Sequence, residues 1–106
     1  MSSLEYTTVT TSGDAFDIRF PLHDETRSGD AVARMLSGVL TALSREVESD
    51  GDISDGDVLQ ALAMALAVRA RLVNVAPSVS LRLMHELVDN AFAATLKADR
   101  YRAARS

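Results

Sequence analysis

The run Asp50-Gly51-Asp52-Ile53-Ser54-Asp55-Gly56-Asp57 sets oxygen donors at alternating positions between two helix-forming segments. A twelve-residue loop that wraps a calcium ion begins in this way. Such a loop needs a glycine at its sixth position for the sharp turn, an apolar residue at its eighth and a bidentate glutamate at its twelfth. Counted from Asp50, those positions hold Asp55, Asp57 and Ala61. The register fails, so the run reads as a solvated loop that caps the following helix, and no metal is expected.

A second cluster, His85-Glu86-Leu87-Val88-Asp89, opens like the zinc-binding helix of metalloproteases, where two histidines four apart share one metal and the glutamate polarises a water. Asp89 occupies the second ligand position, and the chain's other histidine is His23. The segment therefore reads as a solvated face on which Arg82, Glu86 and Asp89 are helical charge neighbours. Extended through Asn90 and Ala91, it resembles the N-box helix of the GHKL ATPases and histidine kinases. The resemblance spans seven residues and implies that Glu86 and Asn90 stand where that family works at nucleotide phosphates and magnesium. That family places glycine-rich lid boxes after this helix, whereas the last glycine here is Gly56. No activity is carried across, and no cofactor is expected.

Nucleophilic catalysis needs a hydroxyl beside a base, and neither His23 nor His85 sits in a motif that supplies one. No catalytic residue is assigned. An enzyme or ligand-binding protein without such a pair would rely on arginine clamps, and Arg69 and Arg71 with Gln60 are the candidate ligand contacts. The two arginines also suit the negative end of a helix dipole, which explains them structurally. Arg82, Arg100 and Arg102 offer cations for phosphate, but Tyr101 is the one aromatic beside them, too few for a stacking platform.

These residues belong to a chain of 106 residues, within the usual range of a single domain, with 47% hydrophobic and 25% charged residues. A formal charge of −4 opposes non-specific binding to nucleic acid, whose affinity comes largely from lysine and arginine. The charge is segregated: acids crowd residues 46–57, while Lys97, Arg100, Arg102 and Arg105 crowd the end. The absence of cysteine removes disulfides, thiolate nucleophiles and cysteine-ligated zinc, and is compatible with a reducing compartment. Residues 1–11 lack the pattern of a secretory signal, and no segment approaches a membrane span, so a cytoplasmic protein is expected.

The elements that position these groups follow from periodicity. Phe16-Asp17-Ile18-Arg19-Phe20 alternates apolar and charged residues as a half-buried strand does, and Tyr6 to Thr10 is rich in β-formers. With Ser12-Gly13-Asp14 as the turn, a hairpin spans about residues 5–20, and Pro21 ends it. A three-residue turn sets Tyr6 opposite Phe20, both on the face of Ile18; a two-residue turn sets Val9 opposite Phe16. The first gathers more apolar area on one face and is preferred.

A first helix, about residues 28–48, carries the stripe Val32, Met35, Leu36, Val39, Leu40, Leu43 and Val47, flanked by the small residues Ser37, Gly38 and Thr41. Gly38 costs a helix interior about 1 kcal/mol, which a closely approaching backbone would compensate. The second helix, about residues 54–73, starts with Ser54 and Asp57 as a capping-box variant, with Ile53 and Val58 as a hydrophobic staple. Asn74 suits a left-handed terminal residue, and Pro77 blocks continuation. The third helix covers about residues 78–98, with Leu81, Met84, Leu87, Val88, Ala91, Phe92 and Thr95 inward and Arg82, Glu86, Asp89 and Lys97 outward. A loose tail follows.

The expected architecture is thus an α+β domain over residues 1–106, mostly helical, with an N-terminal β-hairpin packed on a three-helix bundle. Within the second helix, from Val58 to Val73, the polar residues are Gln60, Arg69 and Arg71. A helix apolar nearly all round must be covered nearly all round. Two helices and a hairpin with open edges leave part of it bare, and the face of Ala61, Ala65 and Val68 is the expected interface. The expectation is a non-enzymatic interaction or regulatory module that self-associates as a homodimer or binds another protein. The alternative is a small helical enzyme or ligand-binding protein using Gln60, Arg69 and Arg71.

Overall fold

A computed structural model describes residues 2–9 and 13–102. The chain is α+β and mostly helical, in the order β1 (Ser3–Val9), β2 (Asp14–Pro21), α1 (Gly29–Ser49), α2 (Asp55–Arg71), α3 (Pro77–Lys97) and β3 (Asp99–Arg102). The strands form one antiparallel sheet, β1-β2-β3, with β2 at its centre.

The expected hairpin is present with its faces as anticipated and its pairing shifted. Tyr6 lies opposite Ile18, Leu4 opposite Phe20 and Val9 opposite Ala15, so neither Tyr6 with Phe20 nor Val9 with Phe16 is a pair. Relative to the preferred register the slip is an even number of residues, which keeps Tyr6, Ile18 and Phe20 on one face. The turn ends on Gly13 at φ 92°, a left-handed conformation that glycine adopts without steric penalty. Ser12, also expected in the turn, lies outside the described residues.

The larger correction is β3. Asp99–Arg102, expected as a loose tail, pairs antiparallel with β2, with Ala15 opposite Tyr101 and Asp17 opposite Asp99. Four residues give few ladder bonds, and side chains supply the rest. Arg100 Nε donates to Asp14 Oδ2 at 2.7 Å, and its guanidinium lies 5.4 Å from the centre of the Phe16 ring. The Tyr101 hydroxyl donates to Asp17 at 3.0 Å. Residues beyond Arg102 lie outside the described residues.

Each helix start has a local cause. Ser28 Oγ accepts from the Ala31 amide at 3.1 Å to open α1. At α2, Ser54 Oγ accepts from the Asp57 amide at 3.1 Å while Asp57 Oδ2 accepts from the Ser54 amide at 3.0 Å, a complete capping box. Ser54→Ala should accordingly lower stability by about 0.5–2 kcal/mol, read as a shifted denaturation midpoint. An unchanged midpoint would mean that the cap contributes nothing. Two expected stops differ. Among the described residues no residue other than glycine has positive φ, so Asn74 does not form a left-handed cap. Pro77 is the first residue of α3, where its missing N–H is harmless.

The chain divides into two compact units. One comprises Met1–Ala33 and Leu87–Ser106 and contains the sheet. Its buried apolar residues are Ala15, Ile18 and Ala94. Ala15 and Ile18 are three apart on β2 and therefore face opposite sides, so the central strand is covered on both. The other unit, Arg34–Glu86, is wholly helical apart from its loops.

Candidate functional site

Within Arg34–Glu86 the one buried residue is Ser80, a polar one, and no apolar side chain is buried. Helices form here because propensity, caps and apolar stripes agree, yet the stripes meet solvent. On α2, Leu59 is 68% exposed and Val68 61%. Nine residues are two and a half turns, so these two side chains project from opposite sides of the helix. Leu66, seven beyond Leu59, shares its side, and Met64, four before Val68, shares the other; both are exposed. Ala61, Ala65 and Val68, the expected interface, are all exposed and recur at four- and three-residue steps along one face.

The neighbouring helices behave alike. On the α1 stripe Met35, Val39 and Val47 are exposed, while Val32, Leu36, Leu40 and Leu43 are half-buried. Gly38 has nothing within 4 Å of where a Cβ would stand, so the close backbone expected there is not supplied by this chain. The expected inner face of α3 is largely turned about. Met84, Ala91 and Thr95 are half-buried, but Leu81, Leu87, Val88 and Phe92 are exposed, Phe92 at 63%. The buried residues are small ones, Ser80 and Ala94, which permit close approach of a neighbour. Arg82, Glu86, Asp89 and Lys97 are all exposed as expected.

The residues singled out for chemistry do not converge. Gln60 and Arg69 are nine residues apart on α2, about 13.5 Å along the axis and on opposite sides; Arg69 and Arg71 also diverge, by roughly 160°. Single-helix geometry therefore keeps the three from closing on one ligand. His23 Nδ1 accepts from the Glu25 amide at 3.1 Å, a local turn contact, and His85 lies exposed on α3. Asp50 Oδ1 accepts from the Asp52 amide at 3.0 Å, and Asp57 is engaged in the capping box. Glu86 and Asn90 are both exposed.

Sequence patterns gave no sign of one cleft, of about 630 Å³, in the sheet-containing unit. Its polar lining is Ser2, Ser3, Asp17, Arg19, Asn90 and Lys97. Most of its charge is already matched. Arg19 pairs with Glu5 at 2.8 Å, and Asp17 accepts from Thr7 Oγ1 at 2.7 Å as well as from Tyr101. Neither histidine lines it.

The hydrogen bond to Asp17, reinforced by desolvation and by the carboxylate charge, raises the Tyr101 hydroxyl above the ordinary phenol value. A raised folded-state pKa means that the link stabilises fully below the unfolded value, near 10, and is lost as pH climbs through the raised value. In an ultraviolet phenolate titration Tyr101, identified by its loss in Tyr101→Phe, should ionise later than a free tyrosine. Asp17→Ala should abolish that delay, and a delay unchanged by it would assign the shift to another cause.

Among the described residues no helix is long and apolar enough to cross a membrane, and no group of three or more acidic or histidine side chains is placed to hold a metal ion. The chain matches no family model, no curated protein and no solved structure.

Proposed function

We propose that this chain is a non-enzymatic interaction or regulatory module that works as a homodimer in the cytoplasm. The observation that carries the reading is the helical unit Arg34–Glu86, in which no apolar side chain is fully buried and many of the large ones are exposed. A half-chain whose apolar residues are at best half-buried is short of the main favourable contribution to folding. A partner that covers the exposed leucines and valines supplies it. A second copy is the most economical such partner, because it presents the same apolar surface at the same concentration.

The accessible area supports the same reading. The chain exposes 8525 Å². A compact monomer of 11.4 kDa exposes about 5,800 Å², and two separate globules of half that mass about 7,000 Å² together. Measured even against two separate globules, the chain exposes roughly 1,500 Å² more than closed bodies of this size present. The cysteine-free composition suits a reducing cytoplasm.

Light scattering coupled to gel filtration tests the proposal. The expected mass is twice 11.4 kDa. A single-chain mass across a wide concentration range would refute self-association and direct the apolar surface to a different protein.

A further inference from the structure

We infer that the two copies fold around one another, so that helix α2 of each is enclosed between helices of its partner and residues 34–86 acquire their folded state only on association. The inference rests on the self-association proposed above and goes beyond it by fixing how the surfaces meet.

Two faces of one helix decide the matter. Copies that fold first and then touch cover one face of each exposed helix. On α2 that would hide either the side of Leu59 and Leu66 or the side of Met64 and Val68, and leave the opposite one in water. Covering both requires α2 to be flanked on two sides. The same chain supplies little of that cover, since α1 and α2 contain no buried residue.

Area agrees. An excess of roughly 1,500 Å² per chain corresponds to about 3,000 Å² lost when two copies meet, which falls in the range of obligate dimers and well above the roughly 1,600 Å² of preformed proteins that dock. Obligate dimers of this kind have no stable folded monomer, and their stability depends on protomer concentration.

The test follows mass and helical circular dichroism of the full chain together, by dilution and by urea titration at several concentrations. One transition is expected, in which mass and helicity fall together, with a midpoint that drops on dilution by about 1.4 kcal/mol of apparent stability per tenfold. A dimer that dilutes to an 11.4 kDa species with its helical signal intact overturns the enclosure but leaves the homodimer standing. So does a dimer whose midpoint ignores concentration. A helical 11.4 kDa chain at every concentration overturns both. The two faces supply a second readout: Leu59→Glu and Val68→Glu, made separately, should each abolish the dimer. If one of them leaves the mass unchanged, the contact is one-sided and the enclosure is wrong.

Discussion

Replacing Ala65 by arginine is expected to reduce the mass in solution to that of one chain and to remove most of the helical signal of residues 34–86. Ala65 is exposed in the isolated chain. A solvated arginine there would be nearly neutral, because arginine is close to alanine in helix propensity and surface substitutions away from special features stay within about 0.5 kcal/mol. Inside a helical interface the same guanidinium is a buried charge without a partner. Uncompensated buried charges destabilise by about 3–5 kcal/mol, which is roughly a 150- to 5,000-fold loss of affinity. Light scattering and circular dichroism, read together, separate the outcomes. Loss of both signals fits folding coupled to assembly, loss of mass alone fits a docked dimer, and no change places Ala65 outside the interface.

The second large effect concerns the sheet. Ile18→Ala should destabilise the sheet-containing unit by about 2–5 kcal/mol, the usual range for truncating a buried isoleucine. Ile18 is 7% exposed, and it is the one large side chain among the unit's buried apolar residues, the others being Ala15 and Ala94. At about 0.05–0.15 kcal/mol per residue, a body of roughly half this chain has about 3–8 kcal/mol to lose. Amide hydrogen exchange across β2 is the appropriate measurement, since the central strand should lose its protection. Protection that persists would show that the strand pairing, and not Ile18, holds it.

How far the sequence foretold this structure depends on which physical signal each element carries. The start of α2 was legible because capping chemistry is local: Ser54 and Asp57 satisfy each other's amides whatever else the chain does. The faces of the hairpin were legible because alternation along Phe16 to Phe20 is a period of two. Its register was not, because pairs that differ by an even shift keep the same faces, and only the turn distinguishes them. Strand β3 lacked an apolar alternation altogether. Its hold on β2 comes from Arg100 with Asp14 and Tyr101 with Asp17, contacts across 86 and 84 residues that no local window contains.

The third helix misled for a different reason. Periodicity finds the side with the largest apolar residues and takes it as the inner one. On α3 the residues that are buried, Ser80 and Ala94, are small, and Phe92 projects into solvent. Of the candidate site residues, Ala61, Ala65 and Val68 do share one exposed face of α2. Gln60, Arg69 and Arg71 were grouped by polarity in a segment otherwise apolar, which says nothing about the angles at which they leave the helix. The cleft beside Asp17 and Lys97 was invisible for the same reason as β3, since it draws lining residues from both ends of the chain.

The placement of β3 carries a consequence for biosynthesis. Strands β1 and β2 are made first, and the ribosome adds some eighty residues before Asp99–Arg102 emerges. Throughout that interval the stretch Asp14–Asp17 of β2 lacks its second partner, and Phe16 stands beside open backbone groups. Such an edge is a template for strands of other nascent chains. A message broken anywhere between α3 and Arg102 would leave Asp14–Asp17 open on that side permanently, so truncated products should be sticky and short-lived even though they retain all three helices.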